Sequence, residues 1–227
     1  MSQGAALFDI DGTLVDSNYL HVDAWQRAFH KVGHPVDAWH IHRGIGMGSS
    51  QLLATLLGDA VDKLGDEVKE LHSEFYRKSS KLLRPFEHAR DLVNTVASRG
   101  AKVVFATSAA PDELDRLRKT LDVEESVAEI TSSQDVDAAK PEPEIVEVAL
   151  QRAGVSADRA VFVGDAVWDV IAARRAGVPT IGLLSGGISA AELTEAGAIA
   201  VYDDAAALLH ELDGSPLASL WRPEAAR

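Results

Sequence analysis

Five short apolar runs constrain the fold of this chain more than any other feature: Ala5 to Phe8, Lys102 to Ala106, Ala160 to Val163, Pro179 to Leu183 and Ala198 to Tyr202. Runs of this length, apolar at most positions rather than at alternate ones, read as strands buried on both faces. Helical patterns lie between them. In Pro143 to Ala153 the apolar Ile145, Val148, Ala149 and Ala153 follow helical spacing, prolines open the segment and Gly154 closes it. Strands alternating with helices predict an α/β fold on a parallel sheet.

The alternation fails between Asp16 and Arg84, where amphipathic helices appear with no convincing strand. This interval reads as a helical insertion. Its first helix is expected to take Ser17 as its N-cap, to carry His21, Trp25, Ala28 and Val32 along one face and to stop at Gly33. Leu83-Arg84-Pro85-Phe86 reads as the return linker, so the expected division is a core of residues 1–15 and 85–227 around an inserted helical cap of residues 16–84. The tail after Gly214 shows too little pattern to assign.

Charge narrows the function. With 22 Lys+Arg against 35 Asp+Glu the formal net charge is -13, and no basic patch interrupts it, so neither nucleic acid nor an anionic membrane surface is an expected partner. No apolar stretch reaches membrane-span length, and Met1 to Ala5 lacks the character of a signal peptide, which makes the cytoplasm the expected location. The absence of cysteine excludes disulfide and thiolate chemistry. The sequence carries no signal for oligomeric state.

Four segments concentrate chemistry at the ends of the expected strands. In Phe8-Asp9-Ile10-Asp11-Gly12-Thr13 two carboxylates leave a buried strand just before a glycine turn. Spacing by two puts them on one side, where a pair about 4 Å apart repels by ~4 kcal/mol at an effective dielectric of 20. A divalent cation relieves that repulsion. Val161 to Asp169 ends a second strand in Asp165 and places Asp169 one helical turn later. Oxygen ligands with incomplete protein coordination suit magnesium, Mg2+, better than zinc or calcium. Thr107 and Ser108 end a third strand and offer hydroxyls to a phosphoryl group, while Lys140, before Pro141, offers fixed positive charge.

In this order Asp9-Ile10-Asp11-Gly12-Thr13-Leu14-Val15-Asp16, Thr107-Ser108, Lys140-Pro141 and Gly164-Asp165 with Asp169 resemble the four motifs of the haloacid dehalogenase-like superfamily. The resemblance spans Asp9 to Asp169. It implies a three-layer Rossmann-like core with a mobile helical cap, and a phosphatase acting on a small phosphorylated metabolite of the phosphoglycolate or sugar phosphate class. It implies Asp9 as nucleophile, Asp11 as general acid and base, Thr107, Ser108 and Lys140 as phosphate-binding groups, and Mg2+ held by Asp9, the Asp11 backbone carbonyl and Asp165, with Asp169 ligating through water or orienting the shell.

Alternatives remain at this level. An Asp-x-Asp-Gly stretch on its own also suits a calcium loop or a capped turn. Arg43-Gly44-Ile45-Gly46-Met47-Gly48-Ser49-Ser50 reads either as the cap loop over the substrate, with Arg43 a candidate contact, or as a plain helix connection. His21 is a candidate contact from the cap. Three other functions compete: a β-phosphoglucomutase-like isomerase, a dehalogenase, and a non-catalytic phosphate- or partner-binding protein. Ser49 or Ser50 near the position expected for the mutases' cap arginine argues against the first, retention of Asp11 against the second, and an undamaged set of motifs against the third.

Overall fold

The computed structural model describes residues 3–221; Met1 and Ser2, part of the start read above for a targeting segment, lie outside them, as do residues 222–227. In chain order the elements are β1 (Ala5–Phe8), α1 (Asn18–Lys31), α2 (Ala38–Gly44), α3 (Ser49–Leu57), α4 (Val61–Ser79), α5 (Ala89–Ser98), β2 (Lys102–Ala106), α6 (Pro111–Leu121), β3 (Glu129–Thr131), α7 (Glu144–Ala153), β4 (Ala160–Gly164), α8 (Val167–Arg175), β5 (Thr180–Leu183), α9 (Ala190–Ala196), β6 (Ala200–Tyr202) and α10 (Ala205–His210). All neighbouring strands run parallel, in the order β3-β2-β1-β4-β5-β6.

The period of two along β1 builds both halves of the core. Ala6 and Phe8 face the layer of α5, α6 and α10, meeting Leu92, Leu117 and Leu208. Ala5 and Leu7 face the opposite layer, meeting Ile145 and Ala149 of α7 and Ala172 of α8. Both faces are covered, which is why β1 is apolar throughout.

Three expectations about local structure are corrected. The sheet has a sixth strand, β3, which is three residues long, lies at the edge and buries only Thr131 completely. Its pattern is too short to register, although Ala128 begins the approach by donating to the Val103 carbonyl. In α7 the side chain turned fully into the core is Val146 rather than Val148. The opening turn starts one residue later than expected, at Glu144, because Pro143 serves as the N-cap. Gly154 closes the helix in the left-handed region as anticipated, with φ 65°.

Between β1 and α5 the described chain is helical and has a hydrophobic cluster of its own, in which Trp25, Phe29, Ile41, Leu53 and Val68 bring α1 to α4 together. Burying a side chain such as Phe29 stabilises this layer by roughly 1.5–3 kcal/mol. The two crossings to the core run side by side. Val15 bridges Pro85, Asp16 N donates to the Arg84 carbonyl at 2.9 Å, and Arg84 pairs with the Asp16 carboxylate at 2.9 Å. Among the described residues no helix is long and apolar enough to cross a membrane.

The terminal tail also finds a place. A short 3-10 turn, Pro216–Leu220, buries Leu217 and Leu220 against the same core layer as α5 and α10.

Candidate active site

In a sheet ordered 3-2-1-4-5-6 the connections leave β1 and β4 in opposite directions, and a crevice opens beyond their carboxyl ends. The sequence places Asp9 directly after β1 and Asp165 directly after β4. Asp169 comes from the first turn of α8, where its carboxylate accepts the Ala166 N–H at 3.0 Å. Carboxylate oxygens of Asp9, Asp165 and Asp169 lie within 4.8 Å of one another, and all three residues are buried. Lys140 bridges two of them, with Nζ 2.6 Å from Asp9 Oδ1 and 2.7 Å from Asp169 Oδ1. Lys140 is held by its loop, because the Glu144 carboxylate at the start of α7 accepts the N–H groups of Asp137 and Ala138.

Three buried carboxylates against one ammonium leave an excess of negative charge. Burial pushes Asp9 well above the usual carboxylate range, the Lys140 charge opposing it and the Asp169 and Asp165 charges adding to it. Burial and then the Asp169 charge push Asp165 up to about 7, in spite of hydrogen bonds from Thr13 Oγ1 at 2.7 Å and Asn18 Nδ2 at 2.9 Å. Burial pulls Lys140 down, but Asp169 and Asp9 outweigh it and hold the lysine above its ordinary range. Asp169 Oδ1 is buried and, although paired in charge with Lys140, has no hydrogen-bond partner of suitable geometry. An acceptor-only oxygen cluster with surplus charge and a spare lone pair fits a hard divalent cation such as Mg2+.

Asp11 turns elsewhere. Its side chain is not among the three clustered carboxylates; Oδ1 accepts Ser17 Oγ at 2.6 Å and lies 3.4 Å from His21 Nε2. Ser17 does occupy the N-cap position of α1, but its hydroxyl serves Asp11 and the Val15 carbonyl instead of the helix N–H groups, which corrects the capping role expected for it. Asp9 and Asp11 nevertheless border the same small cavity, of about 80 Å³, together with Thr107 and Ser108. Thr107 Oγ1 accepts the Ala109 N–H at 3.1 Å, which leaves its own proton to give, and Ser108 Oγ is buried without a partner.

His21 is brought to this cavity and Arg43 is not. Facing the core from α1, His21 lies 3.4 Å from both Asp11 and Glu113, 3.1 Å from His72, and is stacked on Tyr76 with centroids 4.0 Å apart. Burial lowers its pKa, but the charges of Glu113 and Asp11 prevail and raise it, whereas burial and the His21 charge hold His72 well below its ordinary value. The Arg43 guanidinium instead pairs with Glu192 at the start of α9, and its carbonyl accepts Trp168 Nε1 at 3.0 Å. The expected substrate contact is thus a clasp between α2 and the core. Its charge is answered away from the cavity.

The glycines after Arg43 permit close approach to the core. A Cβ on Gly48 would stand 2.2 Å from Ala139 Cβ, and one on Gly46, at φ 96°, 2.7 Å from Ala166 Cβ. Ile45, Gly46 and Met47 border the small cavity, so the loop lies over the site. Gly48 has an ordinary φ of -63°, so space and not backbone freedom requires glycine there. Gly48→Ala is expected to hold α3 away from the Ala139 loop and to lower kcat/KM by ~10²-fold, the scale set by an ångström-sized misplacement. Steady-state kinetics beside a melting curve tests this; unchanged kcat/KM would show that the contact is not needed.

Several supporting residues escape a reading of the sequence. Thr13 and Asn18 orient Asp165, and a Cβ on Gly186 would stand 1.8 Å from Asp165 Oδ2, so the Gly186-Gly187 pair that reads as a simple turn packs against a site carboxylate. Glu113 is hidden by its position three residues into α6, where its Oε2 accepts the Ala110 N–H and it looks like an ordinary N-terminal helix residue. The acid at that third position was the one available signal.

Sheet order, acidic crevice and helical layer together define a Rossmann-like enzyme core with a lysine-bridged carboxylate centre. The chain belongs to the haloacid dehalogenase-like hydrolases, whose family model matches residues 6–183. It is similar to a phosphorylated carbohydrates phosphatase of Thermotoga maritima, 33% identical over 87% of this chain and 93% of that protein. A phosphoglycolate phosphatase of Rhodospirillum rubrum is 27% identical over 90% of this chain and 88% of its own length. Among solved structures, a hydrolase from Pseudomonas syringae superimposes with a TM-score of 0.89 at 35% identity, covering 93% of this chain and 99% of that one.

Proposed function

We propose that this phosphatase of small phosphorylated metabolites works through a covalent phospho-aspartyl intermediate at Asp9, with Mg2+ as its cofactor. One observation carries the reading: Lys140 Nζ at 2.6 Å from Asp9, inside a buried group of three carboxylates, beside a cavity that Asp11 also borders. An Asp9 oxygen attacks phosphorus as the bond to the leaving oxygen breaks, and Asp11 gives that oxygen its proton. Asp11 then takes a proton from the water that attacks the phospho-aspartate, releasing phosphate and restoring Asp9. Ser17 and His21 fix the Asp11 carboxyl for both transfers. Thr107, Ser108 and Lys140 stand ready to hold the phosphoryl oxygens and to meet the charge that develops on them. Asp9, Asp165 and Asp169, with the Asp11 carbonyl, would hold Mg2+, which supplies charge neutralisation and orientation of the phosphoryl group.

The helical layer of residues 16–84 acts as the cap, hinging near Asp16-Ser17 and Arg84-Pro85, where both crossings lie together. The mutase reading is disfavoured by the lining of a second cavity beside the small one, where Ser49 and Ser50 stand instead of a cap arginine. Conversion of a hexose phosphate without release of free phosphate would reverse that choice.

Chelation provides a direct test. Phosphate release is expected to fall at least ~10²-fold with EDTA and to return with Mg2+, since the metal is assigned several kcal/mol of the stabilisation. Saturating Mg2+, at about 100 times its Kd, is expected to stabilise the fold by about 2.7 kcal/mol, or roughly 5–11 °C at 2–4 °C per kcal/mol. The gain grows from pH 5 to pH 8, because Asp165 with a pKa of about 7 must lose its proton to bind a cation. Melting temperatures indifferent to Mg2+ at pH 8 would count against the assigned site.

A further inference from the structure

Beside the phosphoryl site lies a second cavity, of about 460 Å³, that shares Ser49, Ser108 and Glu113 with the small one. None of the steps above uses it. Its volume falls in the range of small-molecule pockets, and a two-carbon leaving group would leave most of it to water.

The inner wall has a distinct chemistry. Tyr76 is 2% exposed, and its Oη and the Ser108 Oγ are buried with no hydrogen-bond partner. Both residues line the cavity. An unmet buried hydroxyl costs roughly 1–3 kcal/mol, so the Tyr76 hydroxyl is explained best by a ligand that supplies the missing bond, as the phosphoryl group would for Ser108. Glu113 stands beside them, and the groups acting on it are His21 from α1, Asp11 after β1, Tyr76 from α4 and Arg116 one turn further along α6. His21 lies 3.4 Å from both Glu113 and Asp11, so one imidazole is shared between two acids, and Arg116 is drawn to within 4.0 Å of Asp112. Lys69 also borders the cavity but is exposed, out towards solvent.

We propose that this cavity takes an uncharged, polyhydroxylated leaving group of sugar size, hydrogen-bonded by Glu113 and Tyr76 Oη, and that Glu113 makes the enzyme reject leaving groups bearing a carboxylate or a second phosphate. The proposal rests on the phosphatase reading and narrows its substrate class. Hydroxyls of a sugar can donate to the carboxylate and meet the orphaned Tyr76 hydroxyl, whereas an anionic leaving group brings like charge to the Glu113 wall.

Initial rates with Mg2+ on a hexose 6-phosphate, phosphoglycolate and p-nitrophenyl phosphate test it. The hexose phosphate is expected to exceed phosphoglycolate in kcat/KM by ~10²-fold or more. Glu113→Gln keeps an acceptor but removes the charge, and should compress that ratio about tenfold, the equivalent of about 1.4 kcal/mol. Tyr76→Phe should lower kcat/KM for the hexose phosphate about tenfold more than for the aryl phosphate, as loss of one hydrogen bond implies. Ratios between substrates do not depend on how much of a variant folds. A preference for phosphoglycolate, or ratios that neither variant moves, would overturn the proposal. Turnover of the aryl phosphate and phosphoglycolate without the sugar phosphate would sink it while leaving the phosphatase standing; no phosphate from any of the three would remove both.

Discussion

Asp9→Asn is expected to abolish turnover, lowering kcat by ~10⁴–10⁶-fold, the range seen when an activated nucleophile is removed from a site whose other groups remain. The amide keeps the size of the carboxylate and occupies the same place after β1, but it cannot form the acyl phosphate. Stability should move the other way. Burial already pushes Asp9 well above the usual carboxylate range, and the Asp169 and Asp165 charges oppose its ionisation. Removing one of three buried carboxylates leaves Asp165 and Asp169 facing Lys140, so the metal-free protein is expected to melt no lower than the parent. Single-turnover assays and a melting curve without Mg2+ check both halves. Residual turnover above about 1% of the parent would rule out the covalent route.

Lys140→Met separates charge from volume. The lysine is 1% exposed, carries the positive charge nearest the three carboxylates and touches two of them. Methionine fills much of the same space but leaves the acids without their cation. Breaking a buried pair by removing one partner costs about 3–5 kcal/mol. At 2–4 °C per kcal/mol for a chain of this size, the metal-free melting temperature should fall by roughly 6–20 °C. Mg2+ should restore much of that loss, since it supplies charge at the same place, while kcat remains ~10²–10³-fold low because the phosphoryl oxygens have lost their fixed donor. An unchanged metal-free melting temperature would mean that Lys140 is not balancing the cluster.

These variants, together with Gly48→Ala, separate three contributions that a single activity assay merges. Asp9 tests bond formation, Lys140 tests electrostatic balance, and Gly48 tests how closely the helical layer seats on the core.

The parts of the site that were legible in the sequence share a physical origin. Asp9, Thr107 and Asp165 each follow a run of apolar residues buried on both faces, so the pattern announces where each strand stops and its first polar side chain emerges. Asp169 was legible because it opens α8 one turn after Asp165. β3 escaped because a three-residue edge strand needs little apolar surface. Arg43 misled, since its place beside a glycine-rich loop says nothing of Glu192, which lies 149 positions away and captures it. Ser17 misled more subtly: the residue type and position suit a cap, and only the neighbouring Asp11 carboxylate diverts its hydroxyl.

By itself the sequence determined the strand and helix alternation, the helical insertion and the polar residues that emerge at the strand ends, because these are properties of neighbours along the chain. Only the tertiary structure decided that Asp11 faces Ser17 and His21 rather than the acidic cluster, that Glu113 and Tyr76 border a second cavity, and that Gly48 must be small. Those outcomes depend on distances between segments far apart in sequence, and such distances are set by how the helical layer packs across the sheet.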